Sequence, residues 1–222
     1  VGRATRAVEF AERGDKEYVA GLKLGRVTDT QDTSGNTLEE HPVEVTAEQV
    51  RGVLPQFTGD ILQVPPMYSA IKIGGKKLYE LARKGKEVER PARPVTIHAL
   101  TLEGQTAPDE FTIRVKCSKG TYVRTLCHDI GAALGCGGCM SSLRRTMACG
   151  YDLHEAHPLQ EVLETENPAG LLLSTDTLFE AHPALTLGKR GAERVRHGAQ
   201  VHQPEAEDGT YRIYGPEEEF LA

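Results

Sequence analysis

An α+β chain is predicted by three stretches of this sequence. Phe111, Ile113, Val115 and Cys117 alternate with Thr112, Arg114, Lys116 and Ser118, the period-two pattern of a half-buried strand. Val123, Leu126, Cys127, Ile130 and Leu134 then recur at helical spacing and give one apolar face. Thr46-Ala-Glu-Gln49 is a capping box ahead of Val50, Val53, Leu54 and Phe57, which marks a second, smaller helix. Between the first strand and its helix, Lys119-Gly120-Thr121-Tyr122-Val123-Arg124 delivers a phenol and a guanidinium to a strand-to-helix corner, where a rigid scaffold can carry a site.

Taken in order, Thr5–Glu12 reads as the end of a helix stopped by Gly14-Asp15. Glu17–Leu24 is a strand with Tyr18, Ala20, Leu22 and Leu24 on one face, closed by Gly25. Thr28–Thr37 is a polar loop of turn-forming residues whose acidic spacing misses the EF-hand pattern. Pro55 shortens the capped helix, and Ile61–Val64 is a brief strand that Pro65-Pro66 ends. Leu78, Leu81 and Ala82 mark a short basic helix with Gly74-Gly75 before it and Gly85 after it. Val95–Leu102 is a strand whose simplest partner is Phe111–Cys117. Beyond the corner, Gly135–Gly138 is a turn and Ser141–Ala148 a strand or short helix with paired arginines. His157-Pro158 and Asn167-Pro168 punctuate a helical linker. Leu185–Leu187, Gln200-Val201, Thr210–Tyr214 and Glu219–Leu221 suggest a small β-rich module. The opening Val1–Phe10 reads as the middle of a domain, so truncation at the N-terminus is expected, and the final stretch ends where another strand is expected.

The 222 residues, 39% hydrophobic, suffice for one sizeable core and a small second one. No apolar run is long enough for a membrane helix and no signal peptide is evident, which predicts a soluble, cytoplasmic chain. The net charge of −6 is unevenly spread. Residues 1–149 carry 21 basic and 18 acidic side chains, and residues 150–222 carry 5 and 14. Lys72–Arg93 alone holds eight basic residues against Glu80, Glu87 and Glu89, a segment suited to phosphate contacts, although a solvated charged loop has the same composition. Five cysteines without an export signal argue against a disulfide framework. Cys136-Gly-Gly-Cys139 has metal or redox spacing, but no second pair completes a zinc site, which favours ordinary thiols. Walker, Gly-x-Ser-x-Gly and dinucleotide fingerprints are absent.

Five ordered blocks between Lys16 and Arg145 carry a family likeness. They are Lys16–Gly25 with Thr28-Asp-Thr30; Pro66–Lys72 with Gly75–Glu80; Arg93-Pro-Val95; Cys117–Thr125; and Leu134–Gly137 with Leu143-Arg-Arg145. In these the chain resembles the TruB family of bacterial tRNA pseudouridine synthases, which act on uridine 55 of the T arm. The resemblance implies a mixed α/β catalytic domain over residues 1–158, with a basic thumb at about 65–94. It further implies a helical linker at 159–180 and an incomplete PUA-like RNA-binding domain at 181–222. By position, Tyr18 matches the stacking tyrosine, Tyr122 and Leu143 line the uracil pocket, and Arg124 orients the catalytic aspartate. Lys72, Lys76, Lys77, Arg83 and Lys84 of the thumb would contact RNA. The implied protein is a cofactor-free, metal-free monomer whose partner is tRNA.

The family's Gly-His-x-Gly-x-Leu-Asp-Pro motif, which bears the catalytic aspartate, does not occur here, and Asp15, Asp29 and Asp32 do not fit it. Arg124 is therefore expected to lack its carboxylate partner in these residues, and the fragment to be inactive; its own alternatives are pairing with Asp129 or reaching solvent. Cys139 departs from a histidine common among relatives. The alternative function is a non-catalytic tRNA-binding or tRNA-folding module, and a guide-dependent relative of the dyskerin type is a third option that the thumb argues against.

Overall fold

The structure, a computed structural model, describes residues 2–11, 14–203 and 206–222. It divides into two compact units, Arg13–Ala156 and Val1–Glu12 with His157–Ala222. Phe10, in the short helix α1 (Val8–Ala11), lies edge-on to Phe179 at 5.5 Å within the second unit. Glu12, the last residue of the expected N-terminal helix, lies outside the described residues.

The larger unit is built on a six-stranded antiparallel sheet. In chain order the strands of this unit are β1 (Lys16–Leu24), β2 (Arg26–Thr28), β3 (Thr37–Glu40), β4 (Gly59–Gln63), β5 (Lys72–Ile73), β6 (Lys76–Lys77), β7 (Arg93–Ala107), β8 (Glu110–Cys117), β9 (Gly138–Ala148) and β10 (Tyr151–Asp152). The main sheet runs β10-β9-β1-β8-β7-β4, while β2–β3 and β5–β6 are separate small hairpins. Ala20, Leu22, Phe111, Ile113 and Val115 fill one sheet face. Against them pack α2 (Ala47–Val53), through Val50 and Val53, and α4 (Val123–Ala133), through Val123, Leu126, Cys127 and Ile130. Each fully buried leucine, isoleucine, valine or phenylalanine of this set contributes about 1.5–3 kcal/mol of burial. The alternating residues Thr112, Arg114 and Lys116 are polar, as a one-sided antiparallel sheet requires.

Local chemistry explains the helix ends. Thr46 and Gln49 form the reciprocal capping box of α2, and Pro55 turns the chain into a 3₁₀ turn over Leu54–Phe57. The β8–α4 turn depends on Gly120 at φ +85°, a conformation that L side chains resist. Gly131 of α4 meets β9 backbone to backbone, its N–H-side neighbours so close that an added Cβ would stand 2.3 Å from Gly138 N. Ser141–Ala148 is wholly strand, resolving the ambiguity between strand and helix. In the basic segment, Leu78 at the start of α3 (Leu78–Ala82) is fully buried and anchors the β5–β6 hairpin, whose turn is Gly74-Gly75.

The smaller unit is less strand-rich than expected. α5 (Leu159–Glu164) and 3₁₀ turns at Pro168–Leu171 and Thr175–Phe179 form the linker region. Strands β11 (Ala184–Thr186) and β12 (Arg212–Tyr214) pair in parallel, and Tyr214 bridges to Phe220. Gln200-Val201 is in no strand, and the eight-residue helix α6 (Lys189–Arg196) was not foreseen. Phe179 stacks on Phe220, Tyr214 meets Phe220 edge-on, and Tyr214 Oη donates to Asp176 Oδ2 at 2.5 Å. No helix among the described residues is long and apolar enough to cross a membrane.

Candidate active site

The sheet register sets out the first part of the site. Tyr18 on β1 lies opposite Val115 on β8 and Arg145 on β9, and Ala20 lies opposite Leu143. Directly opposed residues share a face, so Tyr18, Leu143 and Arg145 stand on the helix-bearing side of the sheet as direct or diagonal neighbours. On the other face Gly21 leaves room for the β9 serines, since a Cβ there would lie 2.1 Å from Ser141 Oγ. Leu143 is 46% exposed, an apolar side chain left uncovered beside the exposed Arg145. Burial pushes the Tyr18 phenol above its ordinary value, and adjacent Arg145 works the other way.

The β8–α4 turn supplies the second part. Cys117 pairs with Lys16, two residues before Tyr18, and five residues later Tyr122 caps α4. No side chain caps the helix at Tyr122. Its backbone is held from β4, where Gln63 Nε2 donates to Tyr122 O at 3.3 Å and Tyr122 N–H donates to Gln63 Oε1 at 3.0 Å.

Arg124, the second residue of α4, does not lack a carboxylate. Its Nη1 lies 3.0 Å from Asp32 Oδ2 and donates to Thr30 O at 3.4 Å, with side-chain exposures of 31% and 16% for Arg124 and Asp32. This corrects the expectation that Arg124 lacks a carboxylate partner in these residues; the carboxylate it meets is Asp32, not Asp129. The reason is the loop between β2 and β3, which folds over the start of α4. Thr125 Oγ1 donates to Gln31 Oε1 at 2.7 Å, so consecutive helix residues grip consecutive loop residues. Asp32 bridges to Met140 on β9, and Met140 N–H donates to Gln31 O. Gln31 itself is held at φ +62°, a strained value for a residue with a Cβ. Burial opposes ionisation of Asp32, but hydrogen bonds from Ser34 and Thr30 and the Arg124 guanidinium outweigh it and hold the carboxyl below its ordinary value.

The thumb residues are separate from this group. Lys72, Lys76, Arg83 and Lys84 are exposed. Lys77 Nζ and the Arg83 guanidinium lie over the Tyr79 ring at 5.5 and 5.2 Å, which leaves one aromatic ring flanked by two cations. Thumb residues Pro66, Met67, Tyr68, Lys86 and Arg90 line a cavity of about 350 Å³ with Thr28, Gln31 and His128. Tyr18, Tyr122, Arg124 and Leu143 are not among its lining residues. Cys136 and Cys139 are buried, and burial pushes both thiols up, away from the reactive thiolate form. No group of three or more His, Cys, Asp or Glu among the described residues could hold a metal ion.

Sequence reasoning missed Asp32, the Gln31–Thr125 contact and Gln63. An acidic residue in a Thr-Asp-Thr-x-Asp loop, beside a helix whose first turn carries an arginine and no acid, was the available signal for Asp32.

Residues 1–123 match the model described as TruB family pseudouridylate synthase, N-terminal domain. The chain belongs to the TruB family. Residues 124–179 match the tRNA pseudouridylate synthase B C-terminal domain. Among similar curated proteins, the tRNA pseudouridine synthase B of Azoarcus sp. (strain BH72) is 46% identical over 216 residues, 96% of this chain and 71% of that protein. The enzyme of the same name from Haemophilus influenzae (strain ATCC 51907 / DSM 11121 / KW20 / Rd) is 42% identical over 229 residues, covering 100% of this chain and 73% of that protein. Among solved structures, a Cbf5-Nop10-Gar1 complex matches with a TM-score of 0.67 at 23% identity, over 97% of this chain and 61% of that one. An H/ACA RNP bound to a substrate RNA containing 2′-deoxyuridine matches with a TM-score of 0.61 at 20% identity, over 97% and 60%. At those identities the likeness is one of fold, the pseudouridine synthase fold. This TruB chain spans about three fifths of those two solved chains.

Proposed function

We propose that this TruB-family chain is the pocket- and thumb-bearing part of an isomerase that converts uridine 55 in the T arm of tRNA to pseudouridine. The observation that carries the reading is the Arg124–Asp32 pair at the head of α4, on the sheet face that bears Tyr18 and Leu143. The target base is inside a stacked loop and has to be flipped out before it can react. Tyr18 offers a ring for it to stack on, and Tyr122 and Leu143 form apolar walls.

The reaction breaks the N1–C1′ bond, turns the uracil and forms C5–C1′; C5 loses a proton and N1 gains one. No electrons are exchanged, and no cofactor is required by the balance. Among this chain's residues, Arg124 serves as the fixed cation. Its fork has five donors, and Asp32 and Thr30 engage only one side of it. The remaining donors can orient a second carboxylate and keep it ionised. We assign that carboxylate to the Gly-His-x-Gly-x-Leu-Asp-Pro aspartate, supplied by a segment upstream of these residues. Lys72, Lys76, Lys77, Arg83 and Lys84 would grip the T-arm phosphates. Residues 181–222 would add a PUA-like RNA contact, supported by Lys189, Arg190, Arg194 and Arg196 on α6. The enzyme would act as a cytoplasmic monomer.

A second reading, a tRNA-binding module without catalysis, rests on the exposed thumb cations Lys72, Lys76, Arg83 and Lys84. One experiment separates the two: the upstream segment is joined to this chain and pseudouridine is mapped in tRNA transcripts. Product at position 55 that disappears when the upstream aspartate becomes asparagine supports the isomerase. Tight tRNA binding with no product supports the module instead.

A further inference from the structure

β4 turns Ile61 to the core and Asp60 to solvent as an edge strand should, but its last two residues reverse that polarity. Leu62 points outward at 71% exposure, while Gln63 is buried at 2%. The position faces the core, where a leucine would fit without any desolvation cost. Removing an amide from water roughly cancels what two neutral hydrogen bonds return, so stability alone gives no reason for glutamine here. What the amide adds is direction. Both of its bonds go to the main chain of a single residue, Tyr122, as a neighbouring strand would bond it. Tyr122 O also accepts from Leu126 N–H in the first turn of α4. The Gln63 carboxamide thus satisfies the Tyr122 N–H and takes up the second lone pair of its carbonyl. The Tyr122 side chain makes no capping bond of its own to α4.

We infer that Gln63 is a positioning residue of the uracil pocket, acting through Tyr122. It fixes the φ and ψ of the cap residue, and with them the direction of the phenol that forms the pocket wall. Gln63 also stands at the root of the thumb, immediately before Val64-Pro65-Pro66. The inference rests on the assignment of Tyr122 to the pocket.

The test has two parts. In this chain, amide hydrogen exchange at Tyr122 is compared between the parent and Gln63→Leu, which keeps the volume and loses both bonds. Protection at Tyr122 should fall while the β1 and β8 amides keep theirs; unchanged protection at Tyr122 overturns the inference. In the enzyme extended upstream, single-turnover pseudouridine formation is measured for Gln63→Leu, Tyr122→Ala and the double variant. Gln63→Leu should slow the chemical step at least about tenfold with tRNA affinity unchanged, since displacements near 1 Å carry losses of that order or more. In the Tyr122→Ala background it should have little further effect, whereas general destabilisation would slow both backgrounds alike and overturn the inference. Gln63→Glu, which keeps the acceptor and loses the donor, should fall between parent and Gln63→Leu, and it replaces Gln63→Leu if that variant does not fold. If Tyr122→Ala turns over normally, the pocket assignment and the inference fall together. If Tyr122→Ala is slow and both Gln63 variants are normal, only the inference falls.

Discussion

Arg124 Nη1 and Asp32 Oδ2 lie 3.0 Å apart, and the carboxylate's other oxygen accepts from Thr30 Oγ1 and Ser34 N–H. Each half of the carboxylate is therefore committed, one to the loop and one to the helix. Replacing Asp32 with asparagine keeps the shape and removes the charge that holds the guanidinium. The expected result is a loss of about 10²-fold in the single-turnover rate of the upstream-extended enzyme. The chain should also lose about 2 kcal/mol of stability. Rapid-quench kinetics and urea unfolding check the two numbers independently.

Acid should erase that stability difference. The Asp32 carboxyl is depressed in the folded chain, so as pH falls the unfolded chain takes up this proton first and stability declines. The contribution is complete above the ordinary aspartate value near 4 and is lost as pH drops through the lower folded value. Urea midpoints of parent and Asp32→Asn should differ by a constant amount from pH 7 to about 5 and converge below about 4. A gap that widens in acid would show that the carboxylate is not stabilised by these contacts.

Thr125→Val tests the neighbouring grip. Valine fills the same space but cannot donate to Gln31 Oε1, and Thr125 is buried. A cost of about 1–2 kcal/mol is expected from the lost bond. Because this contact ties down the side chain of Gln31, whose φ is +62°, the loop should relax and the rate should fall along with stability. A variant with parental melting temperature and parental rate would show that the loop is fixed by other bonds.

Gly131→Ala probes the seam between α4 and β9. Alanine gains about 1 kcal/mol of helix propensity over glycine. The new methyl would meet Gly138 N at 2.3 Å and Gly137 C at 2.4 Å, both backbone atoms that cannot rotate away. Overpacking of this kind costs about 1–3 kcal/mol, and the net change should be destabilising. An equal or higher denaturation midpoint would show that the seam has slack.

The thumb makes a prediction about salt. Converting Lys76, Lys77 and Lys84 to alanine should weaken tRNA binding uniformly and flatten the log–log salt dependence by about 2–3 units, given roughly 0.7–0.9 per phosphate contact. Binding that keeps its salt slope would place the phosphate contacts elsewhere.

The elements that were legible in the sequence are those whose pattern is local. The β8–α4 corner shows in alternation, a glycine and helical spacing; α2 shows in its capping box. β9 stayed ambiguous because Ser142–Arg145 are all exposed and leave no period-two signature. α6 was missed because it buries little beyond Ala192 and reads as a charged loop. Of the proposed site, Tyr18, Tyr122, Arg124 and Leu143 are picked out by family likeness. Asp32 and Gln63 act through contacts with residues far away in sequence, and nothing in their own neighbourhoods says whom they meet. A buried glutamine is also indistinguishable, on paper, from an exposed one.

The central place of β1 in the sheet has a consequence for biosynthesis. Both of its partners come later in the chain, β8 beginning at Glu110 and β9 at Gly138. At about 5–20 residues per second, the apolar face of β1 waits on the order of ten seconds at the ribosome before any partner emerges. For that interval Ala20, Leu22 and Leu24 are open to chaperones and to the same strand of a neighbouring nascent chain.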